Sequence, residues 1–123
     1  MEATHLVEDI KLAKSPAKIA YIQKAAEIAD TAMQTGVETI AGGQTELGIA
    51  GEIHRTLMSL GSETSAIYMD LVSGERCCYP HGMPTQRKLK KGDDINVEFV
   101  GKYKRYHCTI GRQMCLGDPR PRV

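Results

Sequence analysis

In this 123-residue chain the side chains able to carry chemistry gather in the second half. His81 stands in the loop-like stretch Y-P-H-G-M-P-T, and Glu98 in the alternating run I-N-V-E-F-V. A neutral imidazole near pH 7 can accept a proton from an attacking water and hand it to a leaving nitrogen. A carboxylate such as Glu98 can orient a cationic substrate group through charge-assisted hydrogen bonds. The competing reading of His81 is a loop histidine bonded to backbone. Cys77, Cys78, His81, His107 and Cys108 invite a zinc hypothesis, but adjacent cysteines cannot form a C-x₂-C chelate and no second pair has the usual spacing. The cysteines therefore read as small core or loop residues.

Those residues need a scaffold, and the patterning supplies one. Ile95, Val97 and Phe99 alternate with Asn96, Glu98 and Val100, and Tyr106, Cys108 and Ile110 alternate with His107, Thr109 and Gly111, the period of half-buried strands. A turn at Tyr103-Lys104 would set Glu98 directly opposite Thr109, at roughly 5 Å on one face. Upstream, Ser15-Pro16 opens a helix as N-cap and first residue, with Ile19, Ile22, Ala26, Ala29 and Met33 as its apolar stripe and Gly36 as C-cap. Gly42-Gly43-Gln44-Thr45-Glu46 lacks the lysine and hydroxyl of a phosphate loop and reads as a turn into a second capped helix with an acid in its first turn. Ala50, Ile53, Leu57 and Leu60 form its stripe and Gly61 ends it, leaving His54 on the flank. Residues 65–73 read as a strand, and 74–76 as the entry to a loop. Lys88, Lys90, Lys91, Lys102, Lys104 and Arg105 cluster around two turns, where charges are usually solvated.

Composition narrows the setting. The length predicts one domain, and 41% apolar content suffices for a small core. A formal net charge of +1 gives no electrostatic reason for a nucleic-acid or membrane partner. No apolar run approaches the ~20 residues of a membrane span. The start, M-E-A-T-H-L-V-E-D-I, lacks a basic leader and an apolar core, so the four cysteines read as reduced thiols of a cytoplasmic protein.

P-H-G-x-P-T, then K-K-G-D, a strand bearing an acid, and R-Y-x-x-x-I-x-R together resemble the creatinase/aminopeptidase P/methionine aminopeptidase family, over about residues 15–117. The G-x-T-E start of the second helix is similar as well. The resemblance implies an α+β fold, half of a pita-bread domain, with two helices packed on a small, mostly antiparallel sheet. Residues 1–14 would be a linker or the tail of an upstream domain, 15–117 the truncated domain, and 118–123 a frayed tail within the proline- and arginine-bearing stretch 116–123. In the family's metallopeptidases the hairpin carries two aspartates that bridge two metal ions. Their positions here are Glu98 and Thr109, and His81 matches the histidine that contacts substrate.

A two-metal hydrolase needs several oxygen or imidazole donors around ions roughly 3.5–4 Å apart. Thr109 offers only a neutral hydroxyl, and a single carboxylate does not hold a catalytic metal. The expectation is therefore no metal and no cofactor. The resemblance then implies a parent hydrolase of the metal-free, creatinase- or ectoine hydrolase-like kind, cleaving C–N bonds of a small nitrogenous substrate. His81 would act in catalysis and Glu98 in substrate binding, and the chain alone would be inactive. Two alternatives are an Xaa-Pro-type metallopeptidase with a degenerate metal site, acting on short peptides, and a non-catalytic binding or structural module. An unpaired strand edge implies a homodimer.

Overall fold

Both long helices begin where a side-chain oxygen can take an orphan amide. The computed structural model describes residues 4–63 and 68–118. Helix α1 spans Thr4–Leu12, α2 Pro16–Thr39 and α3 Glu46–Ser59, and they are followed by strands β1 (Asp70–Ser73), β2 (Asp94–Tyr103) and β3 (Tyr106–Cys115). The Ser15 side chain accepts from Lys18 N ahead of Pro16, and Thr45 accepts from Gly48 N at 3.0 Å. Helix α3 ends at Gly61 in the left-handed region (φ 86°). Ser62 N donates to Leu57 O at 2.9 Å and Gly61 N to Met58 O at 3.0 Å, which satisfies the last carbonyls.

Helix α2 differs from its sequence reading at both its stripe and its end. Its buried residues are Ala25, Ile28, Ala29, Ala32, Met33 and Gly36, whereas Ile19 is 45% exposed. Gly36 is not a cap. A Cβ there would lie 2.8 Å from Ile53 Cδ1, so the absent side chain lets α3 approach α2 and the helix continues to Thr39. Residues 1–14, read as linker or tail, contain α1, none of whose residues is buried.

Helices α2 and α3 pack on one face of an antiparallel sheet in the order β1-β2-β3. Ile95, Val97 and Phe99 are at most 2% exposed and meet Ile28, Ile49 and Ile53 in the core. Each such side chain contributes about 1.5–3 kcal/mol by leaving water. Strand β3 is an edge, with every residue half-buried or exposed. This is the expected α+β arrangement of helices packed on a small antiparallel sheet. Among the described residues no helix is long and apolar enough to cross a membrane.

The hairpin register corrects the sequence reading. The turn is Lys104-Arg105, not Tyr103-Lys104, so Glu98 pairs with Gly111 and Thr109 with Val100. Lys104 (φ 49°) and Arg105 (φ 67°) both adopt positive φ, which two-residue hairpin turns need to match the strand twist. Tyr103 and Tyr106 become the last cross-strand pair, and Tyr21 of α2 packs against both rings at 6.0 and 5.5 Å. That aromatic contact packs the end of the hairpin against α2. In the strand read at 65–73, residues 65–67 lie outside the described residues and pairing runs over Asp70–Ser73. Leu116, assigned to the loose tail, is tied down. Its N donates to Asp93 O at 2.9 Å and its O accepts from Gly92 N at 2.7 Å.

Candidate functional site

The sheet face turned away from the helices carries the candidate residues. Asp70 of β1 is directly opposite Glu98 of β2, whose partner on β3 is Gly111. Thr109 is diagonal to Glu98 on the same face, a separation of roughly 7–8 Å between backbones in such pairs. The corrected register still places both hairpin positions on one face, though not in direct opposition.

His81 arrives from the segment between β1 and β2. Leu71 N donates to Gly82 O at 3.1 Å, and Gly82 N donates to Asp70 Oδ1 at 3.0 Å. A Cβ on Gly82 would lie 2.4 Å from Val72 Cγ1, so only glycine lets the loop press this closely on β1. The imidazole then reaches Asp70, with His81 Nδ1 2.8 Å from Asp70 Oδ2. The reading of His81 as a backbone-bonded loop histidine does not describe this contact. Like charges directly opposed across a ladder repel, and Asp70 and Glu98 form such a pair. The hydrogen bond to Asp70, then the charge of Asp70 and that of Glu98, hold the His81 imidazolium to a higher pH than usual.

A buried polar network holds the loop. Glu46, at the first position of α3, is completely buried. It accepts from Ser73 Oγ (2.7 Å), Thr85 N (2.9 Å), Thr85 Oγ1 (2.7 Å) and the Arg76 guanidinium. Burial alone would raise its carboxyl pKa, but the hydrogen bonds from Thr85 and Ser73, with the Arg76 charge, outweigh it and hold the group below the usual range. Ser73 Oγ also accepts from Arg87 Nη1 at 2.7 Å, and Arg87 clasps Asp93 through two bonds of 2.6 and 3.0 Å. Arg76 Nη2 donates to Met83 O at 2.7 Å, so the guanidinium that neutralises Glu46 also grips the His81 loop.

The metal question is one of donors. Asp70 is engaged by His81 and Gly82, Thr109 is neutral, and Glu98 makes no hydrogen bond or ion pair among the described residues. No group of three His, Cys, Asp or Glu among the described residues could hold a metal ion. The side chains present do not fit a two-metal centre. The cysteines do not converge either. Cys77 Sγ lies 3.2 Å from Asp94 O, with its thiol pKa raised by burial, and all four cysteines are free. His107 stands at the hairpin end opposite Lys102, and His54 is an exposed flank residue with Nδ1 3.0 Å from Ala50 O. Two residues escaped the sequence reading. Asp70 lies inside an apolar run, and Glu46 reads from sequence only as a helix-start acid.

A three-stranded sheet backed by two helices carries a loop histidine near an acid-bearing hairpin, the architecture of the N-terminal half of a pita-bread fold. Residues 20–123 match metallopeptidase family M24, and the chain belongs to that family. It is 29% identical to the Xaa-Pro dipeptidase of Pyrococcus furiosus over 93% of this chain and 33% of that protein. It is 32% identical to an uncharacterized peptidase of Bacillus subtilis over 92% of this chain and 32% of that protein. Among solved structures, the Pyrococcus horikoshii prolidase superposes with a TM-score of 0.91 at 29% identity, covering 95% of this chain and 34% of that one. Aminopeptidase P of Escherichia coli, in complex with substrate, gives 0.89 at 26%, covering 95% and 27%. The chain thus spans about a third of the length of the curated relatives it matches. These relatives correct the creatinase-like expectation. Those with an assigned activity are Xaa-Pro peptidases, which supports the alternative reading and not the metal-free C–N hydrolase.

Proposed function

We propose that this chain is the first half of the catalytic domain of an Xaa-Pro-type peptidase whose metal site is degenerate at Thr109. The observation that carries this is the single sheet face holding His81, Glu98 and Thr109 in an M24 fold, with His81 anchored rather than free. His81 is the substrate-contacting group, able to donate from its ring or accept a proton from water. Glu98, which makes no hydrogen bond or ion pair among the described residues, is a carboxylate available to the cationic end of a short peptide. The replacement of the second acid by Thr109 favours one further reading, a module that binds peptide without cleaving it.

The test is hydrolysis of Xaa-Pro dipeptides by the protein carrying this chain, with and without added Mn²⁺ or Co²⁺, compared with its His81→Ala variant. Removing a positioned acid–base group should cost about 10²–10⁴-fold in turnover. Stability should change by no more than about 1 kcal/mol, as for one ion pair with an exposed member. Turnover unchanged in a folded His81→Ala protein would remove the histidine from the mechanism. Peptide binding without turnover in the parent would select the binding module.

A further inference from the structure

Asp70 is the side-chain partner of His81 Nδ1. Its side chain is 17% exposed, against 76% for His81, and both its oxygens are engaged. Oδ1 accepts from Gly82 N at 3.0 Å and Oδ2 lies 2.8 Å from His81 Nδ1. An ionised carboxylate can only accept, so the hydrogen of the second bond belongs to Nδ1. In the neutral ring the other nitrogen is then a bare acceptor.

We propose that Asp70 is the positioning residue of His81, holding the neutral ring as the Nδ1–H tautomer so that Nε2 is the proton acceptor toward substrate. The proposal rests on the reading of His81 as the substrate-facing group. An aspartate hydrogen-bonded to Nδ1–H orients an imidazole in this way in other hydrolases. Here the arrangement is assembled by backbone. The Gly82 amide fixes the carboxylate, and its carbonyl, taken by Leu71 N, fixes the loop that delivers the ring. The charged groups facing the ring are Asp70 from β1 and Glu98 from β2, both acidic. Neither competes for Nε2 as a donor, because ionised carboxylates have no proton to give.

The substitution Asp70→Asn separates positioning from packing. The Gly82 amide would claim the new amide oxygen, which leaves an NH₂ facing Nδ1. Nδ1 must then accept, and the ring proton moves to Nε2. The experiment is long-range ¹H–¹⁵N correlation NMR on the ¹⁵N-labelled chain at a pH where His81 is neutral, with the signal assigned by its loss in His81→Gln. Wild type should show a protonated Nδ1 and an unprotonated Nε2, and Asp70→Asn the reverse. A wild-type ring protonated on Nε2, the form free histidine prefers in water, would overturn the proposal even if the variant failed to fold. An unchanged tautomer in a folded Asp70→Asn protein would overturn it equally. This readout needs no turnover, so failure here is distinct from failure of the peptidase reading, which His81→Ala turnover tests.

Discussion

Glu98 and Thr109 lie on one face yet form half of a donor set at best. A hard divalent cation gives up its water only for several charged or well-placed oxygens, and here one carboxylate has a hydroxyl diagonal to it. Calorimetric titration of this chain with Mn²⁺, Co²⁺ and Zn²⁺ should give no stoichiometric heat. A one-site isotherm abolished by Glu98→Ala would show that the face binds metal after all. His81 and Glu98 were legible in the sequence because their neighbours, P-H-G and V-E-F-V, have recognisable local patterns. Asp70 was not. Its meaning depends on Glu98 across the ladder and on a loop that returns eleven residues later, and neither relation leaves a periodic trace.

Between residue and domain, the elements are held in register by one buried carboxylate. Glu46 sits where an acid suits a helix N-terminus, which local sequence suggested, but its partners Ser73, Arg76 and Thr85 lie 27, 30 and 39 residues away. Helix starts were readable because capping is local. The hairpin register was not, because it depends on Tyr21 packing against Tyr103 and Tyr106. Glu46→Ala should cost about 3 kcal/mol, the low end for breaking a buried pair, since Arg76 is 31% exposed. Urea midpoints of variant and wild type check this. Acid should have a related effect. Hydrogen bonds hold the Glu46 and Asp93 carboxyls below the usual range, in spite of their burial and with help from the Arg76 and Arg87 charges. Both groups must take up protons to unfold in acid. The stability they add is complete above the unfolded carboxylate pKa of about 4 and is lost as pH falls through their lowered folded values. Urea midpoints measured from pH 7 to pH 3 should fall with acid in wild type, and less steeply in Glu46→Gln.

At the scale of the molecule, β3 ends the sheet with its backbone edge unpaired among the described strands. Beside it, Glu27, Asp30, Val37, Arg112 and Met114 line an open groove of about 640 Å³ between α2 and β3. An exposed edge with unpaired backbone groups invites another strand. Sedimentation at low micromolar concentration should therefore show a homodimer. A monomer with cooperative unfolding would mean that this half-domain closes its own core. The His81 loop has its own consequence for dynamics. The amides of Gly82, Thr85 and Leu89 all donate to acceptors outside their segment, on Asp70, Glu46 and Gln44. Their exchange with deuterium thus reports the opening of the loop as a unit, before the sheet or helices come apart. The His81–Asp70 contact would then be lost and regained on the timescale of that opening, while the rest of the fold stays intact.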